Sequence, residues 1–301
     1  MYSVEIGEIF ILFDYLLCKI ACLCISLLRH AVGDKSIKEN VGEILGVVQV
    51  FLFHGIEGYL NIKPQELRPA VMNLPDIPLP VENKKYFRNH KEKTKRQYSK
   101  KSNSGTKTSS SLDRSQNCKY SSDSDTSDTE NKSVSQSESK VRLEAIYLLN
   151  ELVQTTPNRE FFSYWTQIVA SGSRSDARVL TRSLLKEPLV KIRQVELVTL
   201  HELLVRAKIF LSHAEDVEKL SFITVFGMLS SVIKELHLTL SLLLSSEKNA
   251  IVLTQGLKCA SALIQGTPYH KLKPGLATKL IRHCRNNLFH KGTIWNLVNK
   301  W

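Results

Sequence analysis

The 301-residue sequence predicts an all-α protein, a helical solenoid interrupted by a long disordered insert, on three observations. The first is a repeat: residues 140–153 read KVRLEAIYLLNELV and residues 191–204 read KIRQVELVTLHELL, at a constant offset of 51. A repeated amphipathic helix with a period of tens of residues is the signature of stacked helical hairpins, each burying its apolar side on the next. The second is apolar spacing of the i, i+4, i+7, i+8 kind through most of the chain, as in Val141, Ala145, Leu148, Leu149 and Leu152. The third is the composition of residues 78–138, too polar and too charged in blocks to repay the entropy of ordering.

Taken in order, residues 1–77 read as an N-terminal helical hairpin. Its first helix is IFILFDYLLCKIACLCISLL, residues 9–28, long enough to span a bilayer but interrupted by Asp14 and Lys19. Glu5 and Glu8 stand where a secretory signal carries positive charge. The stretch is therefore expected to be a buried solenoid helix. Its partner carries Ile37, Val41, Ile44, Leu45, Val48, Leu52 and Ile56 between residues 37 and 60, and Gly42 with Gly46 marks a close packing contact. Pro64, Pro69, Pro75, Pro78 and Pro80 then forbid a regular helix.

The insert opens with the basic run KKYFRNHKEKTKRQYSKK, Lys84 to Lys101, and ends near the acidic tract SSDSDTSDTE, Ser121 to Glu130. Residues 139–290 return to helical repeats. Pro157 stops the first; a second holds Phe161, Phe162, Tyr164, Trp165, Ile168 and Val169; a third runs through Val179, Leu180, Leu184 and Leu185 to Pro188, where the chain turns into the second copy of the repeat. Ser212 with Glu215 has the form of a capping box ahead of a long apolar helix or pair of helices from about 217 to 244. Residues 250–265 lie over the first copy at an offset of 111, without its basic pair, and a turn and a basic helix follow. Residues 291–301 depart from the repeat pattern.

The acidic residue, proline and Val/Ile-Arg series, here Glu187, Pro188, Ile192 and Arg193, resembles HEAT repeats. The Ser-Asp tract followed by KVR at 140–142, FFSYW at 161–165, FLSHAED at 210–216, KELH at 234–237 and TPYHKLKPGL at 267–276 resemble more specifically the N-terminal part of the HEAT repeat-containing protein 6 family, over about residues 37–290. The resemblance implies a HEAT/armadillo-like superhelix without known enzyme activity. Members of that family are much longer, so the chain is expected to be a truncated product of it.

The formal charge of +12 favours acidic partners, although it is spread along the chain. The cysteines, at 18, 22, 24, 118, 259 and 284, lack the spacings of a zinc site or a disulfide framework, so they are expected to be buried thiols in a reducing compartment. No phosphate-cradling glycine loop, His-Glu-x-x-His pair or nucleophile elbow occurs. His201 lacks a second ligand, and His283 beside Cys284 is a lone pair. The expectation is a non-enzymatic intracellular scaffold, cytoplasmic or nuclear, with protein partners, no cofactor and no membrane span. The alternative is a nucleic-acid-binding or nuclear-transport adaptor acting through the basic run, whose Tyr86, Phe87 and Tyr98 could stack on bases.

Two sets of candidate residues follow. Lys140, Arg142, Lys191 and Arg193 occupy equivalent positions, so stacked hairpins could align them as a basic ladder for an acidic peptide or phosphate. The competing reading pairs them with acidic residues of the adjacent repeat. Ser122, Ser127 and Ser135 each have an acidic residue three places on and are candidate phosphorylation sites for an acid-directed kinase.

Overall fold

The computed structural model describes residues 2–32, 40–60, 62–70, 129–172, 177–216 and 224–290, with side chains from Tyr15 in the first segment, from Ser135 in the fourth and up to Asn287 in the last. All of these belong to one compact unit; residues 74–127 group as a second, outside the described residues. The described chain is all-helical, with no strand. Its elements are α1 (Tyr2–Ala31), α2 (Val41–Phe51), α3 (Thr129–Thr155), α4 (Asn158–Phe162), α5 (Trp165–Ile168), α6 (Leu180–Lys186), α7 (Val190–Leu211), α8 (Val225–Ser246), α9 (Ala250–Gly266) and α10 (Leu276–His290).

The repeated stretches lie side by side. The first copy falls in α3 and the second in α7, and these two helices pack together; α9, which holds the third copy, packs on α7 in turn. α1 lies along the other side of α3, giving a row α1, α3, α7, α9. α8 is flanked by α6, α9 and α10. The spacing that made these stretches look alike also makes them pack alike, since Val141, Ile146, Leu149 and Leu152 of α3 and Ile192, Leu197, Leu200 and Leu203 of α7 are all buried. Aromatic rings fill the space behind α3 and α7: Trp165 is buried, and Phe162 stacks on Phe210 with ring centroids 4.4 Å apart.

Two helix starts, those of α8 and α9, are fixed by a side-chain oxygen acceptor at the N-cap. Thr224 caps α8 by accepting from the Gly227 N–H at 3.1 Å, and Asn249 caps α9 by accepting from Ile251 and Val252. Ser212, expected to open a capping box, instead closes α7: its Oγ donates to the Ile209 carbonyl at 2.6 Å, and the next described helix begins only at Val225. A serine preceding an acidic residue fits either helix end, and here the continuing apolar stripe of α7 decides. α8 is one helix among the described residues with the length and hydropathy of a membrane span, and 61% of its most apolar window is buried inside the protein.

Two boundaries differ from the sequence reading. The insert was expected to run to residue 138, but α3 already begins at Thr129, and Ser137 is buried against α1. A polar segment gains order here from a tertiary contact that composition does not reveal. The second helix of the N-terminal hairpin ends at Phe51, after which the chain turns through residues 52–59, yet Leu52 and Ile56 are buried as the spacing implied. The basic run and residues 291–301 lie outside the described residues.

Gly42 and Gly46 do mark a close contact, but with extended chain rather than a helix. Residues 62–70 cross α2, Leu67 N–H donates to the Gly42 carbonyl at 3.0 Å, and a Cβ on Gly46 would overlap the Gln65 carbonyl oxygen. Ala70 N–H donates to the Ser163 carbonyl at 2.9 Å and Gln167 Nε2 to the Arg68 carbonyl at 2.7 Å, so this crossing ties α2 to α4 and α5. Substituting Gly46→Ala is therefore expected to lower stability by about 1–3 kcal/mol, because the backbone on the far side cannot rotate away as a side chain would. Equilibrium urea unfolding measures it, and Gly58→Ala, where open space surrounds the site, isolates the cost of the positive φ of 85°.

A buried ion-pair ladder and a candidate docking face

The four basic residues do not form one ligand surface. Lys140 and Lys191 are exposed, whereas Arg142 is buried and Arg193 largely so. Arg142 Nε donates to Glu187 at 2.7 Å and its Nη1 to the His54 carbonyl at 2.8 Å. Arg193 Nε donates to Glu247 at 3.0 Å and its Nη1 to the carbonyls of Glu187 and Pro188. The candidate ladder is corrected accordingly: its two arginines are spent inside the protein.

The acceptors form a repeated unit of their own. Glu187 and Glu247 each sit just before a helix of the row, and each braces the turn into it with the oxygen not used by the closest arginine contact: Glu187 Oε1 accepts from Leu189 N–H at 3.0 Å, and Glu247 Oε1 from Lys248 and Asn249 N–H at 2.8 Å. One carboxylate thus holds N–H groups of the turn leading into its helix and the guanidinium of the preceding helix of the row. This is how the row is registered. Sequence alone showed the arginines at equivalent positions and Glu187 in the helix turn, but Glu247 sits 60 residues after Glu187 rather than 51, which hid the second pair.

A third carboxyl was missed altogether. Glu196 of α7 is completely buried; Ser183 Oγ donates to its Oε1 at 2.5 Å, and its Oε2 has no hydrogen-bond partner. Burial pushes its pKa up to about 8, further raised by Glu187 nearby, while Ser183, Arg142 and Arg193 pull the other way. A Glu two residues after a Gln on an amphipathic helix carries no sequence signal of burial. Asp216 shows the opposite balance. Burial disfavours its ionised form, but hydrogen bonds from Lys234, Ser230 and the Lys273 N–H outweigh it and hold the carboxyl down to about 2.

Of the candidate phosphorylation sites, Ser135 lies exposed on α3, and Ser122 and Ser127 fall outside the described residues. His201 is half-buried and burial pulls its pKa down. Burial pushes the thiol of Cys284 up. Among the described residues no group of three or more His, Cys, Asp or Glu side chains is placed to hold a metal.

Among the described residues, α1 carries a stripe of exposed apolar side chains. The helix was expected to be buried, but only the side toward α3 and α2 is covered: Cys18 and Ile25 are buried, while Leu16, Ile20, Leu23 and Leu27 are 48–69% exposed. These four follow a 4-3-4 spacing, the seam by which one helix packs along another. Beside the seam, α1 and α2 enclose a groove of about 610 Å³ lined by Leu17, Ile20, Ala21, Leu28, Val47 and Phe51 among others. An isolated exposed leucine is ordinary; a contiguous helical stripe of them marks an interaction surface.

A protein-family model described as a domain of unknown function (DUF4042) matches residues 140–296. That span is just over half of the chain. The chain belongs to the DUF4042 family. No solved structure matches it. The DUF4042 span begins at Lys140, two residues before the first arginine of the ladder, and takes in both ion pairs, Glu196 and helices α4 to α10. The exposed seam of α1 and the groove behind it precede the span.

Proposed function

We propose that this DUF4042 protein is a non-enzymatic scaffold, a HEAT/armadillo-like helical solenoid of the kind found in the HEAT repeat-containing protein 6 family, that binds protein partners through helix packing. The row α1, α3, α7, α9 with its repeated Arg–Glu registration supports the solenoid reading. The observation that carries the binding reading is the 4-3-4 seam of Leu16, Ile20, Leu23 and Leu27, which fits an amphipathic helix of a partner. Affinity then comes from buried apolar area rather than from a reactive centre.

Affinity capture with the intact chain, with a Leu23→Glu/Leu27→Glu variant, and with a chain lacking residues 81–127, which leaves α3 whole, tests this in the presence of nuclease at two salt concentrations. Partners held by the intact and deleted chains but lost at least tenfold by the double variant support the reading. Partners unaffected by the double variant refute it.

A second reading, nucleic-acid binding, is favoured by one observation: no acidic residue occurs from Lys248 to Trp301, and Lys279, Arg282 and Arg285 of α10 are exposed. Together with the basic run at 84–101 this would give binding that falls steeply with salt. Capture that disappears with nuclease or with raised salt selects it.

A further inference from the structure

Cys18 stands between two grooves of contrasting chemistry. On one side is the 610 Å³ groove between α1 and α2, whose lining is apolar except for the cysteines 18 and 24, His54 and Glu138. On the other is a groove of about 250 Å³ between α1 and α3, lined by Tyr15, Cys18, Lys19, Cys22, Leu23, Ser137 and Lys140. Lys19 and Lys140 are exposed there, and Lys19 Nζ lies 4.4 Å from the centre of the Tyr15 ring. The Cys18 Sγ is 3.4 Å from Nε2 of His54, a thiol and an imidazole within reach of proton transfer.

The imidazole is not on a loose loop. The His54 carbonyl accepts from Arg142, which Glu187 holds in turn, so the buried ion pair sets where His54 stands. The Glu138 carboxylate rests against Gly55, the next residue in the chain. Arg29 and Glu144 pair at 3.3 Å between α1 and α3.

We propose that Cys18 is a site of self-catalysed S-acylation by a long-chain fatty acyl-coenzyme A. The volume of the apolar groove falls within the roughly 300–1,000 Å³ of small-molecule sites, and its walls suit an aliphatic chain. The paired lysines on the opposite side of Cys18 suit the phosphates of the carrier. The thiol lies where those two surfaces meet, the place a thioester carbonyl would occupy.

The step balances without an oxidant or reductant. Cys18 Sγ attacks the acyl carbonyl carbon while His54 Nε2 takes the thiol proton. The bond from that carbon to the coenzyme A sulfur breaks, and the departing thiolate recovers the proton from His54. One thioester is exchanged for another and each chain reacts once. The attached chain then fills the groove between α1 and α2, tying the two helices together. Ile20 and Leu23 of the outer seam also line these two grooves, but the readout of this chemistry is a thioester adduct rather than partner capture, so failure of one proposal is distinguishable from failure of the other.

The test is incubation of the folded full chain with palmitoyl-coenzyme A, intact-mass measurement, and peptide mapping with and without hydroxylamine. The expected product is one hydroxylamine-sensitive palmitoyl adduct, mapped to Cys18, retained by Cys24→Ser and lost by Cys18→Ser. His54→Gln keeps the backbone contact to Arg142 and should slow the reaction roughly 100-fold. Lys19→Glu/Lys140→Glu should raise the half-saturating palmitoyl-coenzyme A concentration by roughly tenfold, an effect that shrinks with added salt. Absence of an adduct, its spread over Cys18, Cys22 and Cys24 alike, or an unchanged rate in His54→Gln would overturn the proposal. Site mapping on the unaltered chain gives this answer even where a variant folds poorly.

Discussion

Replacing Arg142 with alanine is expected to lower the stability of the helical unit by about 3–5 kcal/mol, the cost of leaving one member of a buried ion pair without its partner. Glu187 would keep its own helix N–H contact to Leu189 but lose both guanidinium bonds, at 2.7 and 3.3 Å, in a place where its side chain has no exposed surface. The His54 carbonyl would lose a donor at the same time, loosening the turn after α2 from α3. Lys140→Ala, two residues earlier on an exposed site, should change stability by less than about 0.5 kcal/mol.

The contrast decides what the basic residues are for. If Arg142 served a ligand, its loss would weaken binding and leave folding intact. As the geometry has it, urea unfolding should register the loss without any partner present. The double replacement Arg142→Met/Glu187→Leu should recover most of the stability, because apolar side chains of similar volume remove the desolvation problem along with the charges. A stability loss in Arg142→Ala no larger than in Lys140→Ala would refute the structural role.

The second large effect depends on pH. Glu196 has a folded pKa near 8 against 4.5 for the ordinary group, so the folded state holds a proton that the unfolded state releases over that interval. The sign follows: the group adds no pH-dependent cost below about pH 4.5, and stability falls as pH rises between the two values by roughly 1.4 kcal/mol per unit. Above pH 8 both states are ionised and the loss levels off. At pH 7 the accumulated loss is roughly 3 kcal/mol.

Glu196→Gln removes the titration while keeping an acceptor for the Ser183 hydroxyl, which donates at 2.5 Å. The variant should match the parent at pH 4.5 and exceed it by roughly 3 kcal/mol at pH 7. Denaturant unfolding of both proteins across pH 4.5–8 measures the difference directly, and other groups cancel in the comparison. Parallel curves for the two proteins would show that Glu196 is ionised in the folded state, against the desolvation argument. Asp216 does not interfere, since its carboxyl titrates down near 2, below this interval.

Why such a group is tolerated is visible in its surroundings. Arg142 and Arg193 lie on the same side of the row, and their positive charge softens the burial of a carboxyl that Glu187 makes harder. The three carboxyls and two arginines form one electrostatic neighbourhood between α3, α6, α7 and the turn before α9. A change at any of them should be felt at the others, so effects at Arg142 and Glu196 are not expected to add.

Helical periodicity in the sequence determined most of the architecture. The repeat at offset 51 located α3 and α7, and the weaker match at 111 located α9, because the same stripe of apolar side chains must be buried wherever it recurs. Proline at 157 and 188 placed the breaks, since a ring that lacks an N–H cannot continue a helix. The apolar positions of the second N-terminal helix, Val41 through Ile56, were read as core and are buried even where the backbone is no longer helical.

Only the tertiary structure decided the rest. Whether Arg142 faces solvent or Glu187 depends on a residue 45 positions away, and periodicity carries no information about that pairing. Gly46 showed that something comes close without showing that it was the extended chain at Gln65. The start of α3 at Thr129 and the half-exposed state of α1 depend on what each helix finds beside it. Local sequence fixes which side of a helix is apolar; the number of neighbours available to cover that side is a property of the assembled row.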